Sequence, residues 1–246
     1  MFNSLTRCLK DFIRLLRMVC IHLRAVFLHR IYIAEGTVLI VAPHPDDEIL
    51  GCGGLMQQLV QQGIDVHVVV LSGGEGSHRE CCSMNENELK EARRGLCSAV
   101  NAQIGMLDSH IHLLDYPDGN IRENSQETSR LASLLKELCP HTVFVPHWGE
   151  GWSDHVCAAR MVKSMVGQDV IVYEYCVWFW YYNVWHLDWK NAAVLPMTKG
   201  MHVLKCRCVD SYVTPLAPCG KPWSGVLPKL LLKAAKWKRE LYFRCQ

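Results

Sequence analysis

Residues 38–54, VLIVAPHPDDEILGCGG, constrain this chain more than any other stretch. Val38, Leu39, Ile40 and Val41 read as a buried, largely β-branched strand that stops at Pro43. His44, Pro45, Asp46, Asp47 and Glu48 follow, and then an apolar helical pattern with a glycine-rich shoulder. Strand, sharp exit, then helix is how an open α/β sheet offers side chains at the carboxyl end of a strand, where such sheets bind their ligands.

Two readings of His-Pro-Asp-Asp-Glu compete. In one it is a helix start: Pro45 suits the first helical position because it has no N–H to lose, and three acids suit the positive end of the helix dipole. The other accounts for a histidine at the strand tip. Side chains three apart on a turn meet, whereas adjacent ones diverge. His44 and Asp47 can therefore grip one ion while Asp46 points elsewhere. A catalytic zinc takes three N/O ligands and keeps one position open, so a third ligand has to come from far along the chain.

A chain of 246 residues can bury a sizeable core as one α/β domain. Half of it is apolar and a fifth charged, the balance of a soluble globular protein. No apolar run reaches the length of a membrane span, and no cleavable-signal pattern is present; Arg14, Arg17 and Arg24 break the apolar N-terminal stretch. The thirteen cysteines are scattered, with no C-x-x-C pair, which fits reduced thiols in a cytoplasmic protein. Cys206 and Cys208 read as two residues on one face of a strand.

Charge is unevenly laid out. Residues 1–30 hold +5 and residues 221–246 hold +6, which leaves the middle at −9. An acidic body excludes a nucleic-acid-binding domain, whose phosphate contacts need a basic face around the site. The basic ends allow peripheral contact with an anionic membrane surface. Residues 1–35 form a helical, basic and amphipathic segment, and two fates are open to it: lying on a membrane, or packing on the domain with its arginines solvated. Residues 36–246 form the α/β domain.

Along that domain, strands at 65–71, 110–114 and 142–145 alternate with helices at 48–62, 86–100 and 126–138. Alternation of this kind implies right-handed βαβ units and a mainly parallel sheet sandwiched by helices. The helix at 86–100 has Glu88, Lys90, Glu91, Arg93 and Arg94 on a charged outer face. The turn Ser72–Gly76 matches no phosphate-binding fingerprint; Gly74 lets backbone approach the site cheaply. Asp118, in Asp115–Gly119, is a turn former or a site residue. His155 opens a helix just past the strand at 142–145, so strand topology carries it to the same sheet edge as His44 and makes it the natural third ligand. Asp154 beside it either orients another group or caps the helix. The aromatics of 170–189 serve core and sheet edge, and some could form a platform for a sugar ring. Met201–Val209 reads as a last strand and Leu227–Tyr242 as a basic C-terminal helix.

With these stretches assembled, the chain resembles the PIG-L/LmbE-type family of metal-dependent N-acetylglucosamine deacetylases. The resemblance rests on PHPDDE-x-x-G-C-G-G ending at Gly54, V-V-L-S-G-G-E-G-S ending at Ser77, the Leu-x-Tyr-Pro-Asp-Gly segment at 114–119 and S-D-H at 153–155, spanning Thr37 to Val166. It implies a Rossmann-like fold and zinc, or another divalent metal, held by His44, Asp47 and His155. It also implies Asp46 as general base and hydrolysis of the acetamido group of an amino-sugar conjugate, whether glycolipid, nucleotide sugar or glycoside. Two positions depart from the family. Trp152 stands where a histidine that assists the oxyanion is common, and His147 is offered for that role. Glu88 stands where an arginine that contacts the sugar or its aglycone is frequent. Gly74, Asp118 and Trp152 are the candidate substrate contacts. The competing reading is a carbohydrate-binding or scaffold protein that keeps this fold without the chemistry.

Overall fold

The run at Val38–Ala42 is strand β1, buried at every position. It is the centre of a computed structural model that describes residues 2–78, 83–123, 126–182, 185 and 187–245. In chain order the elements are α1 (Phe2–Ala25), β1, α2 (Asp47–Gln61), β2 (Val66–Val70), α3 (Glu86–Gln103), β3 (Ile111–Leu113) and α4 (Gln126–Leu138). There follow β4 (Thr142–Pro146), α5 (Ser153–Met165), β5 (Ile171–Tyr175), β6 (Ala192–Pro196), α6 (Lys199–Val213), α7 (Lys229–Ala235) and β7 (Arg239–Arg244).

One seven-stranded sheet has the order β3-β2-β1-β4-β5-β7-β6. Strands β1 to β5 pair in parallel, and β7 runs antiparallel to both β5 and β6. Strand order reverses between β1 and β4, so the chain leaves those two carboxyl ends in opposite directions and opens a crevice there. Side chains on β1 alternate between two cores. Val38, Ile40 and Ala42 pack with α2, α3 and α6, while Leu39 and Val41 pack with α4 and α5. Helices thus cover both faces, and the expected mainly parallel α/β architecture is present.

Two expectations at the C-terminal end are overturned. Met201–Val209 lies inside helix α6, not on a strand. Thr198 caps it by accepting from the Met201 N–H, and the buried positions Met201, Lys205, Cys208 and Tyr212 keep helical spacing. Cys206 and Cys208 therefore point apart, one half-buried and the other buried. The span 227–242 is a short α7 followed by β7, because buried Leu241 and Tyr242 complete the sheet between β5 and β6. Every cysteine among the described residues is a thiol rather than half of a disulfide; Cys81 and Cys82 lie outside the described residues.

Helix α1 is laid on the domain in an unexpected orientation. Met18, Ile21 and Ala25 pack against Phe179 and Trp180. Arg17 is buried rather than solvated and donates to the Phe179 carbonyl at 3.0 Å, while Arg14 donates to the Tyr181 carbonyl at 2.8 Å. Leu9, Phe12, Leu16, Val19 and Leu23 face outward and are exposed. No helix among the described residues is long and apolar enough to cross a membrane.

Candidate active site

His44 sits just past β1, Asp47 is the first residue of α2, and His155 is the third residue of α5. The switch between β1 and β4 draws them together. His44 Nδ1 lies 3.2 Å from Asp47 Oδ2, and His155 Nε2 lies 3.3 Å from the same oxygen. One ligand atom from each residue falls within 4.8 Å of the others. Tetrahedral bonds of about 2.1 Å place ligand atoms about 3.4 Å apart, so the set has the spacing of a zinc-type centre. Both ring nitrogens of fully buried His155 lack an aligned hydrogen-bond partner, although Asp47 and Glu150 lie at 3.3 and 3.5 Å. Buried polar atoms are seldom left so, and a divalent ion is the partner this donor set fits. Although burial alone would raise it, the two imidazoles hold Asp47 well below the usual carboxylate range. Burial pulls His155 down, but Asp47 and Glu150 bring it up to about 9.

Each histidine has a carboxylate behind it. Asp118 Oδ1 and Asp154 Oδ2 lie 3.0 and 3.3 Å from His44 Nε2. Glu150, a residue the sequence reading passed over, lies behind His155 and accepts from the Val177 and Trp178 N–H groups. Such partners fix the tautomer and orientation of a ligating imidazole. Asp154 is not the cap of α5: Trp152 occupies that position without a side-chain bond. Instead, Asp154 accepts from the backbone N–H groups of Gly119 and Ile121, tying the 118–121 turn to the centre. Asp118 accepts from Gly76 N–H at 2.7 Å. Against the upward push of burial, its hydrogen bond to His44 lowers Asp118 to about 2.

Asp46 diverges from Asp47, and its backbone shows why. It sits at φ 128, ψ −29, a conformation L-residues rarely adopt, and its side chain makes no cap bond to α2. Pro45 precedes this residue and is not the first helical position. Strain of this kind persists where surroundings over-determine it. Here Glu48 Oε2 accepts from the Asp46 N–H at 3.0 Å, and Glu48 is itself held by Asn101 and Tyr212. Arg93 donates to the Pro45 carbonyl at 3.0 Å and comes within 3.5 Å of Asp46 Oδ2. Burial first, then the Asp47 charge, pushes Asp46 well above the ordinary carboxylate range, while Arg93 pulls the other way.

Three expectations change. Arg93 is buried, not part of a charged outer face, because two backbone carbonyls and the Asp46 carboxylate surround its guanidinium. Gly74 does not line the cleft; its φ of 67 and bare Cα make room for Arg93, whose guanidinium carbon would stand 2.4 Å from an added Cβ. His147 lies elsewhere. Its Nδ1 accepts from Gly149 N–H, its Nε2 is 3.6 Å from Glu174, and its ring packs on Phe179 and Phe243. It lines a different cavity, with Lys163 and Asp188, and cannot serve the centre from there.

The centre opens into a cleft of about 360 Å³ whose walls include Asp46, Ser77, Asp118, Trp152, Trp178 and Gly225. Trp152 stacks on Trp178 with ring centres 5.3 Å apart and planes 13° apart. The wall from Ser224 to Leu227 was not anticipated; Pro222–Gly225 has turn composition, but nothing in the sequence links it to His44.

A family model described as PIG-L: GlcNAc-PI de-N-acetylase matches residues 39–166. The chain belongs to this PIG-L family. A diacetylchitobiose deacetylase of Thermococcus kodakarensis is 30% identical over 122 residues, which are 48% of this chain and 44% of that protein. A 1D-myo-inositol 2-acetamido-2-deoxy-alpha-D-glucopyranoside deacetylase of Corynebacterium kroppenstedtii is 26% identical over 162 residues, 53% of this chain and 40% of that one. The PIG-L chain thus spans less than half the length of these two relatives. The structure of N,N'-diacetylchitobiose deacetylase from Pyrococcus horikoshii superposes with a TM-score of 0.58 at 20% identity, covering 71% of this chain and 68% of that one. That likeness shows the fold. Both curated relatives are named as deacetylases of acetamido sugars.

Proposed function

We propose that the protein is a metal-dependent N-deacetylase that hydrolyses the acetamide of an N-acetylglucosamine-type conjugate. The observation that carries this reading is the Asp46 carboxyl, outside the His44–Asp47–His155 donor set and beside it, with His44, Asp46 and Asp47 lining one cleft. Zinc or another divalent ion held by those three residues supplies Lewis acidity toward water and toward the amide carbonyl.

The chain's own residues divide the remaining work. Asp46, as carboxylate, takes a proton from the attacking water. It returns that proton to the nitrogen as the C–N bond breaks, so that acetate and a free amine leave. Arg93 and the strained backbone at Asp46 keep that carboxylate in place. Asp118 and Asp154 hold His44 by its far nitrogen, and Glu150 stands behind His155. The Trp152–Trp178 pair offers a flat apolar face to a sugar ring. Trp152 supplies no imidazole donor for the oxyanion.

Residues 1–35 add a place of action. In this reading the exposed Leu9, Phe12, Leu16, Val19 and Leu23 of α1 rest on an anionic lipid surface, to which the +5 charge of residues 1–30 is drawn. The turn at Trp178–Trp180 links the two regions: Trp178 lines the cleft and Phe179 packs on α1. The test of the reaction is acetate release from a panel of N-acetylglucosamine conjugates by metal-loaded protein. Release from at least one conjugate is expected. No release from any of them, with no ion retained, favours the non-catalytic binding protein.

A further inference from the structure

A second group of ligand-type side chains lies at the other end of the sheet. Asp65 and His67 are two apart at the start of β2, and His110 and His112 are two apart at the start of β3. Side chains two apart on a strand share a face. The parallel register, with Val68 opposite Ile111 and Val69 opposite His112, puts both pairs on the same face. Strand β2 is five residues long, about 17 Å at a rise of ~3.3 Å per residue. That length separates the group from the cleft at the strands' carboxyl ends.

The geometry is specific. His67 Nε2 lies 3.1 Å from Asp65 Oδ1; His110 Nδ1 lies 3.8 Å from the same oxygen and donates to the Val66 carbonyl at 3.1 Å, a bond it would exchange for the ion. The His67 and His110 rings are stacked at 4.2 Å. One ligand atom from each of Asp65, His67 and His110 falls within 4.8 Å of the others, much as in the catalytic set. Thr37 donates to Asp65 Oδ2 at 2.9 Å, which orients that carboxylate and leaves Oδ1 toward the imidazoles. His112 Nε2 is 3.0 Å from His67 Nδ1. Once His67 Nε2 takes up an ion, Nδ1 carries the proton and donates to His112, orienting the ring from behind. Nothing in the proposed reaction uses any of these four residues.

We infer that Asp65, His67 and His110 form a second divalent-metal site, with His112 as its supporting residue, that fastens edge strand β3 to β2. Its donors, two imidazoles and a carboxylate, select an imidazole-preferring transition ion such as zinc, copper(II) or nickel. Asp65 is half exposed, so solvent fills the remaining positions. Strand β3 has three residues and borders the sheet on one side only. A cross-strand ion would add to its few ladder bonds, and binding to the folded state alone raises stability by mass action.

The experiment is a calorimetric titration of the full chain with Zn2+, alongside the variants Asp65→Asn and His110→Asn. Both residues are partly exposed and neither belongs to the proposed reaction. Wild type is expected to take up two equivalents. Each variant should lose one of them, or bind it at least tenfold more weakly, with unchanged acetate release and unchanged circular dichroism. Zn2+ should raise the melting temperature of a His155→Ala protein, which lacks the first set, and should do so less when His110→Asn is added. An equivalent lost on His110→Asn stands whether or not the His44 set binds metal, so the two readings fail separately. A second equivalent untouched by both variants, or no equivalent sensitive to them, overturns the site.

Discussion

Arg93 Nη2 stands 3.5 Å from Asp46 Oδ2 while the same guanidinium donates to the carbonyls of Pro45 and Gly74. One buried cation thereby spans the strand-tip loop, the glycine turn and the carboxylate proposed as base. Hydrogen bonds to charged groups are worth about 1.5–3 kcal/mol. Arg93→Ala is therefore expected to lower kcat by roughly ten- to a hundred-fold, with metal retained. Lysine cannot reproduce a fork that reaches four oxygens, Ser77 Oγ included, so Arg93→Lys should recover little. Steady-state kinetics on both variants checks this, and a fall in KM affinity alone with full kcat would count against it.

Trp152 and Trp178 form the flat side of the cleft. Removing a group that holds substrate and transition state alike raises KM and spares kcat. Trp152→Ala should thus raise KM about two- to tenfold, in line with ~0.5–1.5 kcal/mol for an aromatic contact. A kcat collapse with KM unchanged would place Trp152 in the chemistry instead.

His147, removed from the centre, is predicted to matter for stability and not for turnover. Burial, then the charges of Lys163 and Arg17, lowers it to about 3, against about 6.5 in an unfolded chain. The unfolded chain binds the proton first. The stabilising contribution is therefore complete above pH 6.5 and shrinks as pH falls toward 3. His22, lowered to about 4 chiefly by burial, acts in the same direction. The melting temperature should fall between pH 6.5 and 4.5, and fall less steeply in His147→Gln. Equal slopes in the two proteins would remove His147 from the account.

The convergence of His44, Asp47 and His155 could be read from the chain because both histidines lie just past strands that end at one sheet edge. His44 and Asp47 are one turn apart, and His155 follows a strand just as His44 does. Arg93, by contrast, was hidden. In the run Glu88–Arg94 it looks like any charged residue of a solvated helix face, and only the carbonyls of Pro45 and Gly74, distant in sequence, make its burial tolerable. Glu150, behind His155, and Ser224, on the cleft wall, likewise reach these places by tertiary placement alone. At the C-terminal end the misreadings came from short-range pattern. Leu204, Cys206 and Cys208, with Lys205 and Arg207 between them, imitate strand alternation, yet Thr198 caps a helix there. Past Ala235 the charged stretch Lys236–Glu240 carries no glycine or proline to mark the break between helix and strand.

Helix α1 presents apolar residues outward and two of its arginines inward, the reverse of a solvated surface helix. If that face meets lipid, Leu16→Glu with Leu23→Glu should abolish co-sedimentation with phosphatidylserine vesicles at low salt while leaving acetate release from a water-soluble conjugate intact. Wild-type protein that ignores such vesicles would refute the contact.

The most direct test compares Asp46→Asn and His155→Ala with wild type for bound metal and for acetate release from a conjugate that wild type hydrolyses. Asp46→Asn should keep the wild-type metal content and lose about 10²–10⁴-fold in turnover, the usual worth of a general base; His155→Ala should lose an ion as well as activity. Undiminished acetate release by Asp46→Asn would contradict the account.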